Sequence, residues 1–304
     1  MRDGSGREVF LPPCEGGRNV KRKRIKYFFL FPSIFWVLAF TIFPLVYSLG
    51  LTLFRVRLGK PARFVGLANF ARILSDYKMW NSLRITLVYV AVTVTLQVIL
   101  GLLIALLFHQ EIKGKSLFRA LLILPIFCTP VAVGYLGLTV FYEEGGPINS
   151  ILMSFFGTKI PWLSNPFWAW VAILLLDIWQ WTPFCFLVIL AGLQSLPEEI
   201  YDAAYLDSSS EWEIFRKITF PMVQPVIVIV LLLRLIESFK IFDVVYSLTG
   251  GGPGTSTEVY SLFTYRTGLK FFDFGYASVL GYLLLAMVSV AVNIFFRRIR
   301  EVYG

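Results

Sequence analysis

The sequence predicts an all-α protein that crosses a membrane about six times. Of its 304 residues, 57% are hydrophobic and only 15% are charged, whereas soluble domains carry about 25% charged residues. Because polar side chains are too few to cover the apolar surface, lipid must be the solvent for much of the chain. Six apolar runs are each long enough to cross a hydrocarbon layer of about 30 Å as a helix.

The six predicted spans follow a polar, basic tail at residues 1–26, which we predict to be cytoplasmic. The first apolar run exceeds the roughly 7–15 residues of a signal peptide and lacks a small-residue cleavage site, so we expect it to be retained as a span. The transmembrane domain is then predicted to occupy residues 27–304. The predicted spans are Tyr27–Phe54, Ser82–Phe108, Arg119–Phe141, Phe167–Leu193, Met222–Tyr246 and Ala277–Phe296.

The formal charge of +9 indicates membrane anchoring rather than nucleic-acid binding. Basic residues cluster at the ends of apolar runs, as in residues 21–26 and 297–300, which is typical of segments beside anionic lipid headgroups. With the amino terminus inside the cell, the inner connections hold more Lys and Arg than the outer ones. This bias predicts that both termini are cytoplasmic.

The connection at residues 194–221 has the pattern of two short amphipathic helices. Pro197 followed by two glutamates predicts a helix start, and residues 207–210 break the run. A second short helix is predicted to end at Pro221. Such helices need a partner, which the pattern leaves open as lipid or another protein. Apolar residues recur at helical spacing at Ile200, Ala203, Ala204, Trp212, Phe215 and Ile218.

The same connection resembles the coupling loop of permease subunits in binding-protein-dependent ABC importers. This chain has Asp202, Ser208 and Phe220 where the family pattern has Glu, Gly and Leu. The resemblance implies that the loop inserts into a groove on an ATPase subunit and transmits nucleotide-driven closure to the spans. The coupling residues that it implies are Asp202, Ala203, Ala204, Asp207, Ser208, Ile218 and Pro221.

Three further motifs, at residues 64–70, 179–183 and 248–258, resemble the carbohydrate-uptake permeases of the maltose-, trehalose- and glycerol-phosphate-type group. Taken alone, the Gly- and Pro-rich motif at 248–258 is a tight surface turn. The resemblance implies a type I ABC importer permease fold and the first of two paralogous permeases in a bacterial cytoplasmic membrane. It also implies three kinds of partner: a second permease, an ATPase dimer, and an extracytoplasmic solute-binding protein that delivers a sugar.

The fifth predicted span carries Arg234, Glu237, Lys240 and Asp243, each three residues from the next. Opposite charges at this spacing can pair along one helix face. Charges at membrane depth are costly unless they are paired or face a wet cavity, which makes them functional candidates. The spacing leaves both interpretations open, a structural ladder of ion pairs or a substrate contact.

Polar and aromatic side chains in the fourth predicted span suit a sugar, which has hydroxyl groups and apolar C–H patches. Pro183 frees backbone groups there and can bend the helix beside a cavity. Ordinary helix packing is the alternative. The resemblance to the maltose system implies that the sugar is held by the helices before and after the coupling loop. The substrate-pathway candidates are therefore Gln180, Trp181, Phe184, Arg234, Glu237 and Ser238.

The sequence predicts no ATPase site or metal centre in this chain. Residues 114–116 match the end of a phosphate-binding loop, but His109 stands where that loop needs Gly. The ATP is then expected to be bound by the partner ATPase, and no cofactor is expected here. The alternatives are an ABC permease for a non-sugar solute, an ion-driven secondary transporter, and a membrane enzyme, for which no catalytic cluster is recognisable.

Overall fold

The computed structural model describes residues 29–110, 114–207 and 210–303, so the predicted basic tail at 1–26 lies outside the described residues. In chain order the elements are α1 (Phe29–Thr52), β1 (Phe54–Arg55), β2 (Arg63–Phe64), α2 (Ala68–Ser75), α3 (Tyr77–His109), α4 (Lys115–Phe127), α5 (Pro130–Val140), α6 (Pro147–Phe156), α7 (Pro166–Gln194), α8 (Glu198–Asp207), α9 (Glu211–Ser238), α10 (Asp243–Leu248), α11 (Tyr260–Tyr265) and α12 (Phe274–Tyr303). Helices α1, α3, α7, α9 and α12 are long and apolar enough to cross a membrane, and the bent pair of α4 and α5 makes a sixth span. The predicted all-α, six-span fold is confirmed, with one short antiparallel pair of strands in addition.

The core lies where α3 packs along α7. At Gly101 of α3, an added Cβ would lie 2.5 Å from the Cβ of Cys185 in α7, so the helices approach this closely only because residue 101 has no side chain. Buried apolar residues of α3, α7 and α9, such as Val98, Phe186 and Val230, form one cluster around this crossing. Since lipid gives little hydrophobic drive for helices to associate, such close packing is a main source of stability.

The predicted third span is not one straight helix, because α4 and α5 meet at an angle of 101°. Pro130 cannot donate a backbone hydrogen bond and restricts the residue before it, and Thr129 is extended. The Cys128 carbonyl at the break accepts a hydrogen bond of 2.8 Å from Nε2 of Gln180 in α7. The prediction of a single helix over Arg119–Phe141 is therefore wrong in shape, although the apolar run is correct.

The helix after the predicted coupling loop also differs from the expectation. The sequence predicts a short helix ending at Pro221 and a separate span over Met222–Tyr246, but α9 runs continuously through both regions. A π-helical turn at Phe215–Thr219 places Pro221 in the first turn of the α-helical part, where its missing N–H is tolerated. The span then ends at Ser238, and Asp243 begins the separate helix α10.

The end of the bundle predicted to be external is closed by the connection between α1 and α3. Asn69, from the motif at residues 64–70, is buried there. Its amide donates to the carbonyls of Thr52 (2.8 Å) and Phe54 (3.0 Å). These bonds satisfy backbone groups at the carboxyl end of α1, so the motif has a structural role in closing this end.

A second clamp at this end joins the same connection to the start of α12. Asp273 accepts hydrogen bonds from Nη2 of Arg57 and Nη1 of Arg72, both at 2.8 Å. Its side chain is 7% exposed, whereas the two arginines are nearly half exposed. Burial alone would raise the pKa of Asp273, but the hydrogen bonds and charges of Arg72 and Arg57 outweigh it and hold the pKa below its usual value.

We expect Asp273→Asn to lower the free energy of unfolding by about 2 kcal/mol, because it removes two charge-assisted hydrogen bonds with partly solvated donors. Thermal unfolding of the detergent-purified protein measures this. Since the pKa of Asp273 is lowered on folding, its contribution is complete above the unfolded-state pKa of about 3.9 and is lost as the pH falls through the folded-state pKa. The advantage of the wild type over the variant should therefore shrink only below about pH 4.

Glu144→Gln is the matched control. The ion pair of Glu144 with Lys159 is 3.5 Å long, and the Glu144 side chain is 79% exposed, so its removal should cost less than about 0.5 kcal/mol. Equal losses for the two variants would contradict a special role for Asp273.

Candidate functional site

A polar cavity of about 150 Å³ lies among α3, α5, α7, α9 and α10. Four of the six predicted substrate-pathway residues line it, namely Trp181, Arg234, Glu237 and Ser238. The other lining residues are Tyr89, Pro130, Asp177, Lys240, Ile241, Phe242, Asp243 and Val244. The structure thus brings together residues from the spans before and after the predicted coupling loop, and α3 and the start of α5 complete the wall.

Buried polar residues from three spans form a hydrogen-bonded network in this wall. Nε2 of Gln97 in α3 donates to Oδ2 of Asp177 in α7 at 2.7 Å, and Oε1 of Gln97 accepts from Nε of Arg234 in α9 at 2.8 Å. Arg234 also donates to Ser238 at 3.3 Å and pairs with Asp177 at 3.8 Å. A lone charge at the centre of a membrane helix costs roughly 3 kcal/mol or more. The network compensates both charges and ties three spans together.

The predicted ladder of charges along the fifth span forms only in part. Lys240 pairs with Glu237 at 2.8 Å, and both side chains are about half exposed. Arg234 pairs across the bundle with Asp177 instead. Asp243 belongs to the next helix. The predicted ladder is therefore correct for Glu237 and Lys240. It is wrong for Arg234, which pairs with a residue of another span, and for Asp243, which lies beyond the end of α9.

The guanidinium of Arg234 also lies over the indole ring of Trp181, 4.6 Å from the ring centroid. A cation in this position is attracted by the negative face of the ring. Trp181 is only partly buried, so the contact connects the buried network to the open part of the cavity. The Trp181 ring and the Arg234 guanidinium therefore form one continuous part of the cavity wall.

The structure places Gln180 and Phe184 outside the cavity lining. Gln180 is buried, and its amide nitrogen donates a hydrogen bond to the Cys128 carbonyl at the break between α4 and α5. Phe184 is partly buried and packs against the apolar core cluster. Their substrate contacts stay predictions, and the geometry gives Gln180 a structural role at the break.

Sequence reasoning did not single out Tyr89 and Gln97 of α3. Both are buried, Tyr89 lines the cavity, and Gln97 joins Asp177 to Arg234. A signal was present, since Tyr89, Thr93 and Gln97 lie four residues apart within an apolar run. That spacing puts all three on one face of a helix.

The predicted coupling loop forms α8 and the first turns of α9. The Tyr201 hydroxyl donates to Oγ1 of Thr219 at 3.2 Å, and the Tyr201 ring lies 6.0 Å from the ring of His109 at the end of α3. Ala204 is 5% exposed and therefore packs within this chain. These contacts hold α8 against the ends of two spans.

The same region leaves apolar side chains uncovered. Tyr205 is 61% exposed, Leu206 is 89% exposed and Trp212 is 68% exposed. Of the predicted coupling residues, Asp202 and Pro221 are exposed and Ile218 is partly buried. Ser208 lies outside the described residues, as do the side chains of Ala203 and Asp207.

The motif at residues 248–258 packs into the bundle over most of its length. Thr257 is fully buried, and its hydroxyl lies 2.8 Å from the hydroxyl of Thr249. The Glu258 carboxylate is buried and bound to Arg266. The interpretation as a surface turn is correct only at the tip, residues 254–255, which is exposed.

The cavity offers hydrogen-bond donors, acceptors and an aromatic face. Within the three described ranges, no group of three His, Cys, Asp or Glu side chains is placed to hold a metal ion. Aromatic faces and a few convergent polar groups are the usual lining of small-molecule sites. The arrangement is therefore suited to holding a polar small molecule by hydrogen bonds.

Comparison with known proteins gives consistent matches. Residues 97–303 match the family described as "binding-protein-dependent transport system inner membrane component". The trehalose/maltose transport system permease protein MalF of Thermococcus litoralis is 34% identical over 270 residues, covering 88% of this chain and 91% of that protein. The lactose transport system permease protein LacF of Rhizobium radiobacter is 33% identical over 278 residues, covering 90% of this chain and 93% of that protein.

A likeness to a solved structure supports the fold. A chain of a bacterial alginate ABC transporter, solved in complex with an alginate pentasaccharide-bound periplasmic protein, superposes with a TM-score of 0.84 at 22% identity. The match covers 94% of this chain and 97% of that chain. The overall fold of this chain is thus one seen in a solved transporter.

We expect Gln97→Leu to lower the free energy of unfolding by about 3 kcal/mol, because it leaves two buried charged groups without the amide between them. Thermal unfolding of the purified protein in detergent measures the loss. Gln194→Leu is the control, since Gln194 is an exposed glutamine at the end of α7. Unfolding of both variants at the wild-type temperature would show that the network does not stabilise the bundle.

Proposed function

This chain belongs to the family of binding-protein-dependent transport system inner membrane components, and we propose that it is one of two paralogous permeases of an ATP-driven importer that carries a sugar. It has the type I ABC importer permease fold and is a multi-pass membrane protein. We place it in a bacterial cytoplasmic membrane, as the first of the two permeases. The region from residue 27 to 304 is then the permease domain, and residues 1–26 are a cytoplasmic tail.

The sugar assignment rests on the relatives together with the cavity. Two relatives, at 34% and 33% identity, are named for trehalose/maltose transport and for lactose transport. The cavity combines the exposed part of the Trp181 ring with polar groups such as Ser238 and Tyr89, and sugars present both C–H patches and hydroxyl groups. This combination favours a carbohydrate over a purely apolar solute.

The size of the cavity supports a second permease. Small-molecule sites usually enclose about 300–1,000 Å³, whereas this cavity holds about 150 Å³. One chain therefore provides part of a binding site for a disaccharide-sized ligand. A paralogous permease facing the same cavity would complete the enclosure.

The main support for an ATP-driven importer is the exposed apolar surface of α8 and the start of α9. Exposed apolar groups as large as Leu206 and Trp212 need a protein partner or lipid to cover them. We assign this surface to an ATPase dimer, which would bind the ATP because this chain has no phosphate-binding loop of its own. No cofactor is then needed in this chain.

Continuity of α9 suggests how the ATPase would reach the cavity. Trp212 and Arg234 lie on the same helix, 22 residues apart, which corresponds to about 33 Å at roughly 1.5 Å per residue. Movement of the exposed end would therefore reach the wall of the cavity through one helix. Closure of the ATPases on ATP would then open the cavity toward a solute-binding protein outside the cell, as alternating access requires.

We expect Leu206→Glu to abolish co-purification of the ATPase subunits and to reduce ATP-dependent sugar uptake at least tenfold, because a charge replaces an apolar contact in the interface. Affinity purification through this chain, followed by quantification of the ATPase, measures the first effect. Leu206 is a better test than Ala204, whose burial within the chain would confound assembly with folding.

Leu74→Glu is the matched control, since Leu74 is 79% exposed and lies on α2 at the opposite end of the bundle. It should leave the amount of bound ATPase unchanged. Full retention of the ATPase by Leu206→Glu would contradict the proposed interface.

A further inference from the structure

One buried hydroxyl in the cavity wall lacks a partner. Tyr89 of α3 is 1% exposed and lines the cavity, and its hydroxyl makes no hydrogen bond within the described residues. The Asp177 carboxylate and the Thr93 hydroxyl both lie close to the Tyr89 hydroxyl, but neither contact has the geometry of a proper hydrogen bond. A buried phenol without a hydrogen-bond partner costs roughly 1–3 kcal/mol of folding free energy. A ligand atom that forms this hydrogen bond would recover that cost.

The Asp177 carboxylate and the Tyr89 phenol differ in the hydrogen bonds that they can form with a ligand. An ionised carboxylate only accepts hydrogen bonds, whereas a phenol can also donate one. A ligand group that reaches both from the cavity must donate to Asp177 and accept from Tyr89. A sugar hydroxyl does both, whereas an ionised phosphate or carboxylate lacks a hydrogen for Asp177.

The charges of the cavity favour a neutral ligand as well. Its charged lining residues are three acids, Asp177, Glu237 and Asp243, and two bases, Arg234 and Lys240. Arg234 is already held by Gln97, Ser238 and Asp177, and Lys240 is paired with Glu237. An anionic sugar would meet a net negative wall whose cations are already engaged.

We propose that Tyr89 and Asp177 together bind one hydroxyl group of a neutral sugar, with Tyr89 donating to the hydroxyl oxygen and Asp177 accepting its hydrogen. This inference rests on the proposed function. It adds α3 to the spans that contact the substrate and makes Tyr89 a specificity-determining residue. Gln97 acts indirectly, as a positioning residue that fixes Asp177.

The test compares Tyr89→Phe with wild type in proteoliposomes that contain the complete transporter and its binding protein. The probes are radiolabelled maltose and trehalose and their singly deoxygenated analogues. Tyr89→Phe should slow uptake of the transported sugar at least tenfold. One deoxy analogue, which lacks the hydroxyl in question, should be transported equally by both proteins. The binding protein is the same in both, so its own selectivity cancels in this comparison.

Tyr260→Phe is the matched control. Tyr260 is also fully buried, but its hydroxyl donates to the Leu280 carbonyl at 2.9 Å and does not line the cavity. Its variant should transport every probe within twofold of wild type. Wild-type uptake of Tyr89→Phe, or a tenfold loss that is the same for every deoxy analogue, would overturn the inference.

Assembly of the variant is checked by gel filtration of the complex. If Tyr89→Phe fails to assemble, uptake of the deoxy analogues by the wild-type complex still tests the inference. At least one deoxy analogue should be transported at least tenfold more slowly than its affinity for the isolated binding protein predicts. Uptake that follows that affinity for every analogue overturns the inference, whereas absence of any ATP-dependent uptake by wild type rejects the proposed function itself.

Discussion

The charge of Arg234 inside an apolar helix is the constraint on which the site depends. A buried guanidinium persists only when an opposite charge and hydrogen-bond acceptors surround it. Asp177 and Gln97 supply these from two other spans, at 3.8 Å and 2.8 Å. Satisfying one charge therefore sets α3, α7 and α9 at fixed positions relative to one another. The cavity lies beside this network, so its shape follows from the same constraint.

Helix α9 leads from this network toward the other end of the molecule. α9 carries Arg234 near one end and the exposed Trp212 near the other. Its π-helical turn lets Pro221 be accommodated without breaking the helix. At the opposite end of the bundle, Asp273 and Asn69 hold the first connection against the spans. In the proposed mechanism, a helix anchored in this way passes a displacement from its exposed end to the cavity while the bundle stays intact.

Much of the fold was predictable because a membrane imposes long apolar runs whose ends are visible in the sequence. The errors came where single residues override that pattern. Pro130 breaks the third span, and the accommodated Pro221 fails to break the fifth. Both outcomes depend on whether neighbouring groups satisfy the backbone hydrogen bonds, which for Pro130 involves Gln180, a residue 50 positions away. Composition and spacing carry no information about such a distant partner.

The site was predictable in part for the same reason. Trp181, Arg234, Glu237 and Ser238 lie together because the resemblance pointed to two spans that do meet. Charge pairing along one helix suggested the wrong partner for Arg234, since Asp177 is reached only through tertiary packing. Tyr89 and Gln97 carried a visible signal, their common helix face, but nothing local linked α3 to the other two spans.

The most direct measurement is sugar uptake into proteoliposomes that contain the complete transporter and its binding protein, with the energy source varied. The account predicts uptake of labelled trehalose or maltose that requires ATP on the side of α8 and does not change when proton and sodium gradients are collapsed. Uptake that needs an ion gradient and proceeds without ATP would contradict it.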